Sequence, residues 1–172
     1  MNNLELQKCI LGPVYTNCYF LKNKVTGEMI IIDPADCPEK IEQKVMQMDG
    51  KPVAILLTHG HFDHITAVEA VKEKYHIPVY ACRQEEEMLR EPVMNMTCHY
   101  EKSCSIVPDV FLDDLDVFRT AGFSIQIIHT PGHTKGSCCY YLKDEGVLLA
   151  EIPYSVALLG ELIFREAVLR IL

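Results

Sequence analysis

The sequence has no run of five like charges, no basic stripe and no apolar stretch of membrane-spanning length. Acidic residues number 24 against 16 basic ones, giving a net charge of −8. Without clustered Lys or Arg, nothing offsets repulsion from phosphate, which argues against a nucleic-acid or anionic-membrane partner. The start, Met1-Asn2-Asn3-Leu4-Glu5, lacks the basic and apolar regions of a secretory signal. Eight cysteines are present but no CxxC pair, so neither a disulfide framework nor a zinc knuckle is suggested, and reduced thiols in a cytoplasmic protein fit best. The acidic triplet Glu85-Glu86-Glu87 is expected on a solvated helix face.

What is present fits one soluble domain. The 172 residues are 49% hydrophobic and 23% charged, enough for a real core. Two strands are expected over 14–33, from Val14 to Leu21 and from Glu28 to Asp33, joined by a turn at Lys24–Gly27. Ile41, Val45 and Met48 fall at helical spacing in Pro38–Met48. Val53–Leu57 is wholly apolar, as in a strand buried on both faces. Helices are expected at Thr66–Tyr75 and Gln84–Arg90, a strand at Val79–Ala81 and loop over 92–110. Strands return from Val117 onward, at Phe123–His129, Ser137–Leu142 and Val147–Ala150. Alternation of strands with helices indicates a mixed α/β sandwich.

The strongest chemical signal is His59-Gly60-His61-Phe62-Asp63-His64, directly after the buried strand Val53–Leu57. Three imidazoles and a carboxylate within six residues would repel or lose solvation in a core turn unless a cation compensates. Zinc and similar divalent ions prefer this mixture of nitrogen and carboxylate oxygen. Gly60 lets the backbone approach a neighbour closely. A second cluster, His129-Thr130-Pro131-Gly132-His133-Thr134, follows the strand Phe123–Ile128, and its Pro-Gly turn presents His133 at the same kind of strand end. His129 is either a supporting neighbour of His133 or an ordinary strand-end histidine. His76, His99 and Lys135 read as surface residues, Cys98-His99 with Cys104 matches no zinc spacing, and one of Tyr140 and Tyr141 belongs to the core.

The stretches Thr58-His-Gly-His-Phe-Asp-His64 and Thr130-Pro-Gly-His-Thr-Lys-Gly-Ser137 resemble the metallo-β-lactamase superfamily, in particular its hydroxyacylglutathione hydrolase (glyoxalase II)-like bacterial branch. Gly12-Pro13, Asn17-Cys18-Tyr19, Ile32-Asp33-Pro34 and Ile77-Pro78-Val79-Tyr80-Ala81 match as well, so the resemblance spans about residues 10–150. It implies a four-layer αββα sandwich with metals at one sheet edge. By motif position it places one ion on His59, His61 and His133, and part of a second site on Asp63 and His64. The implied cofactor is Zn2+, two ions, with iron or manganese as substitutes. The implied chemistry is hydrolysis of a small-molecule thioester or related acyl substrate by water acidified between the ions, with Asp63 also orienting the nucleophile.

The resemblance breaks after Val147–Ala150. The family continues Gly-Asp-Thr-Leu-Phe, whose Asp bridges both metals, and supplies a later histidine. Here Glu151-Ile152-Pro153-Tyr154-Ser155-Val156 follows, and no histidine or cysteine occurs in 151–172. Ala35 also replaces the usual Gly after Asp-Pro. Deleting one guanine from a coding sequence for Ala-Gly-Asp-Thr-Leu-Phe-Arg yields Ala-Glu-Ile-Pro-Tyr-Ser-Val, which is residues 150–156. The sequence is therefore expected to comprise a metallo-β-lactamase-fold domain over 1–150, incomplete at its C-terminal side, and an out-of-frame tail over 151–172. With the second sheet unfinished, its edge at Val147–Ala150 is expected to be open and residues 151–172 locally disordered. Two alternatives to an active hydrolase follow. One is a crippled family member with a single intact metal site, the other a mononuclear iron persulfide dioxygenase of the same fold.

Overall fold

The computed structural model describes residues 3–100 and 103–150 in full and residues 167–170 by their backbone. The chain order is β1 (Leu4–Leu11), β2 (Thr16–Asn23), β3 (Glu28–Ile32), α1 (Pro38–Gln47), β4 (Lys51–Leu56), α2 (Phe62–Ile65), α3 (Val68–Tyr75), β5 (Val79–Cys82), α4 (Glu86–Arg90), β6 (Val110–Leu112), β7 (Val117–Thr120), β8 (Phe123–His129), β9 (Cys138–Leu142), β10 (Val147–Ala150) and β11 (Ala167–Arg170). Strands β1 to β6 form one sheet in sequence order, and β11-β10-β9-β8-β7 form a second.

The first sheet begins antiparallel and turns parallel from β3 to β6. Its centre is set by composition: Ile30, Ile31 and Ile32 of β3, and Ala54, Ile55 and Leu56 of β4, are buried on both faces. One face packs on the helices. Ile41 and Val45 of α1, one turn apart, join Val68 and Val71 of α3 and Leu89 of α4 over Phe20, Ile31 and Ile55. The other face meets the second sheet, where Phe123, Ile125 and Ile127 alternate inward along β8 and pack with Tyr140, Leu142, Ile30, Ile32 and Leu56. Every buried apolar helical side chain falls in the first cluster, so the described residues form three layers, α–β–β. No helix among them is long and apolar enough to cross a membrane.

Three departures from the sequence reading have physical causes. Strand β1 pairs with β2 along its whole length, from Leu4 opposite Asn23 to Leu11 opposite Thr16, yet most of its residues are half-buried and give no period-two signal. Strand β6, which the sequence reading did not include and which meets the expected loop 92–110 only at Val110, has three residues and is too short to show periodicity. The helix expected over Thr66–Tyr75 begins at Val68, and a separate short helix not expected from the sequence, Phe62–Ile65, winds within the histidine loop before it.

The expectation of an open edge at Val147–Ala150 is corrected. β11 pairs antiparallel with β10, Val147 opposite Arg170 and Ala150 opposite Ala167. Residues 151–166 and 171–172, which include Glu151 and Ile152, lie outside the described residues.

Candidate metal centre

Four strand ends converge on one edge. Asp33 follows β3, Thr58 to His64 follow β4, Glu85 follows β5, and His133 follows β8. Loops beyond the carboxyl ends of parallel strands are the usual place for chemistry in α/β sheets, because a rigid strand delivers each side chain while the loop remains free to point it.

His59 is buried, and its tautomer follows from its neighbours. The Thr58 hydroxyl donates to Asp33 Oδ2 at 2.6 Å, which uses its single proton. Its contact with His59 Nδ1 at 3.2 Å is then one in which the hydroxyl oxygen accepts. A neutral His59 with its proton on Nδ1 presents the Nε2 lone pair to the interior, and Nε2 has no hydrogen-bond partner among the described residues. An orphaned buried nitrogen is costly unless something electron-poor sits on it.

His61 and His133 supply that company. His61 Nδ1 lies 2.9 Å from His133 Nε2. One nitrogen from each of His59, His61 and His133 lies within 4.8 Å of the others. Nitrogens sharing a tetrahedral zinc at its usual bond length sit about 3.3 Å apart, so the three fit a divalent ion with small adjustment. All three imidazoles are held below their ordinary proton affinity. Burial is the first cause in each case, followed by the His64 ring for His59 and His133, and by the His133 ring for His61. Neutral imidazoles are the form that binds metal.

Asp63 and His64 stand beside this group rather than in it. His64 lies between two carboxylates, Nδ1 3.0 Å from Asp33 Oδ2 and Nε2 3.4 Å from Asp63 Oδ2. Burial opposes its protonation, but the two carboxylates prevail and raise its pKa to about 10. Asp63 Oδ2 also accepts from the Thr16 hydroxyl at 2.8 Å. Burial again acts against the charged form, and the hydrogen bonds from His64 and Thr16 overcome it, lowering the Asp63 pKa to about 2.

The sequence profile of the metallo-beta-lactamase superfamily matches residues 11–150. The chain belongs to that superfamily. A probable metallo-hydrolase of Bacillus subtilis strain 168, YqgX, is 34% identical over 150 residues, covering 86% of this chain and 70% of the relative. The crystal structure of BLEG-1 B3 metallo-beta-lactamase is similar with a TM-score of 0.78 and 35% identity, over 85% of this chain and 71% of that one. TTHA1623, solved in a di-iron-bound form, is similar with a TM-score of 0.71 and 28% identity, over 84% of this chain and 70% of that one. The mixed α/β fold expected from the motifs is thus the fold observed, and the chain is a metallo-hydrolase by family.

Within this metallo-β-lactamase fold, the minor candidates find ordinary places. His129 Nε2 contacts the Lys135 carbonyl at 2.8 Å, so it braces the loop that carries His133. Tyr140 is the core member of its pair, its hydroxyl donating to the Leu57 carbonyl at 2.8 Å. Cys98, His99 and Cys104 form no metal-capable group among the described residues. The assignment of Glu85 to a solvated face is corrected: it is buried, and its carboxylate accepts from Gly60 N, Thr134 Oγ1 and Gly136 N. Thr16, Thr58 and Asp33 also escaped notice as site residues. Asp33 left a usable signal, since an acid directly after the buried run Ile30–Ile32 stands at the same sheet edge as Thr58.

Proposed function

We propose that the chain is a metal-dependent hydrolase of thioesters or related acyl substrates, with a zinc-type ion on His59, His61 and His133. The observation that carries this reading is the orphaned, buried His59 Nε2 facing two further imidazoles. Bound there, a divalent cation supplies Lewis acidity toward a carbonyl oxygen and lowers the pKa of water. The protein's own contribution is placement. Asp33 fixes Thr58, Thr58 fixes the His59 tautomer, and the Thr16 and His64 contacts hold Asp63 as a carboxylate where a water proton can be accepted.

A specific observation favours one ion over two. Among the described residues the metal-capable group is a single triad. In this structure both nitrogens of His64 face carboxylates, Nδ1 toward Asp33 and Nε2 toward Asp63, and not the triad. This is the crippled-site alternative, and stoichiometry separates the two readings.

Thiol release from acyl thioesters of glutathione and coenzyme A tests the substrate class. We expect slow hydrolysis that a chelator abolishes and added Zn2+ restores. Metal-replete protein that leaves every thioester intact would sink the thioesterase reading while leaving the metal site to be judged by elemental analysis.

A further inference from the structure

We propose that Glu85 is a positioning residue that locks the two histidine-bearing loops together and so sets the spacing of His59, His61 and His133. The inference rests on the metal-site reading above and extends it to a residue outside both histidine motifs.

Glu85 lies at the end of the short 3-10 turn that follows β5, with its side chain buried between the loops. Oε1 accepts from Gly60 N at 2.8 Å, and Gly60 is the residue between His59 and His61. Oε2 accepts from Gly136 N at 2.7 Å and from the Thr134 hydroxyl at 2.9 Å, and Thr134 follows His133. One carboxylate therefore ties the immediate neighbours of all three imidazoles, across 25 residues on one side and 51 on the other.

The chemistry requires an acid. Two backbone N–H groups sit on opposite oxygens, and each needs an acceptor. A glutamine in the same place must aim its NH2 at one of them, leaving two donors face to face whichever way the amide turns. Charge-assisted bonds are also the stronger kind, and three of them stiffen the bridge. Among the described residues no lysine or arginine pairs with this buried carboxylate. A cation on the triad would offset its charge, since Glu85 is close enough to act electrostatically on His133.

Packing agrees. A Cβ on Gly136 would fall 2.3 Å from Glu85 N, so that loop is seated directly on the Glu85 backbone. A Cβ on Gly60 would fall 2.8 Å from Met88 Cγ, on the helix that Glu85 introduces. With both oxygens committed to loop donors, Glu85 acts through the loops and not as a ligand.

The test uses Co2+ as the probe. Metal-free full-length protein, Glu85→Gln and Thr134→Val are titrated with Co2+, following affinity and the visible ligand-field bands, and thermal unfolding of each metal-free form is measured in parallel. Glu85→Gln is expected to weaken Co2+ binding about 10–100-fold and to shift the bands, as loss of a supporting partner does at metal sites. Thr134→Val, which removes one donor and keeps the carboxylate, is expected to weaken binding several-fold. A residue with a merely structural role would lower the unfolding temperature and leave affinity and spectrum of the folded protein unchanged, which would overturn the proposal. If Glu85→Gln does not fold, Thr134→Val decides, and unchanged affinity there overturns it equally. Failure of the unsubstituted protein to bind Co2+ would instead overturn the metal-site reading, and this inference with it.

Discussion

His61 Nδ1 and His133 Nε2 lie 2.9 Å apart although 72 residues separate them in sequence. Without a cation, two such rings tolerate each other only while at least one is neutral, and burial keeps the proton affinity of both low, aided by the His133 ring at His61 and by the His64 ring at His133. Because His59, His61 and His133 bind protons more weakly folded than unfolded, acid favours the unfolded chain. The stability this contributes is complete above about pH 6.5, the ordinary histidine value, and is lost as pH falls below it.

His64 works in the opposite sense. Its pKa is raised to about 10, so its stabilisation is complete below about pH 6.5 and is lost as pH climbs toward 10. Metal-free protein is therefore expected to be most stable near pH 6.5, with His64→Asn flattening the alkaline limb. Chemical denaturation across pH 4–10 (on the order of seven points) checks this. An alkaline limb unchanged in that variant would show that the Asp33–His64–Asp63 arrangement does not carry the effect.

Tyr140→Phe removes a buried hydroxyl from the Leu57 carbonyl, two residues before His59. An acceptor stripped of its strongest partner inside the core costs about 1–3 kcal/mol. The denaturation midpoint should fall accordingly with the slope unchanged. A midpoint within error of the parent would mean that water replaces the hydroxyl.

The two site glycines should differ in their tolerance of alanine. At Gly60 the added methyl meets side-chain atoms of Met88 and Leu89, whereas at Gly136 it meets the Glu85 backbone. Gly60→Ala is expected to cost about 1 kcal/mol and Gly136→Ala about 3 kcal/mol. Equal stabilities by urea titration would contradict the seating of the second loop on Glu85.

Much of this was legible in the residues. The gathering of His59, His61 and His133 is foreshadowed by their two motifs, and the buried strands β3 and β4 and the inward alternation of β8 leave local patterns because burial on one face or both dictates residue type. Glu85 leaves none. It stands in a row of three glutamates, and only tertiary placement makes the first of them the buried one. Thr16 and Asp33 are likewise defined by what packs against them from 47 and 31 residues away. Strands β1 and β6 escaped for the related reason that a half-buried or three-residue strand carries too little pattern to announce itself.

The tail over 151–172 is the other place where the sequence speaks against the family. By the resemblance, Ile152 stands in the sequence where the family has the Asp of Gly-Asp-Thr-Leu-Phe. A chain in which Ala150 is followed in frame by Gly-Asp-Thr-Leu-Phe and its downstream residues is expected to hydrolyse thioesters roughly 10²-fold faster than this one, since a carboxylate placed between two cations is of the class of electrostatic contributions worth that much. Equal rates in the two chains would show that position 152 does not bear on the chemistry.

The central claim is that His59, His61 and His133 hold one divalent ion. Elemental analysis of the purified protein and of His61→Ala, each dialysed against micromolar Zn2+ (about 10 μM, far above the dissociation constant of a zinc site of this kind), tests it most directly. One tightly held ion per chain is expected in the parent and almost none in the variant, with both proteins folded. Equal zinc content in the two would contradict it.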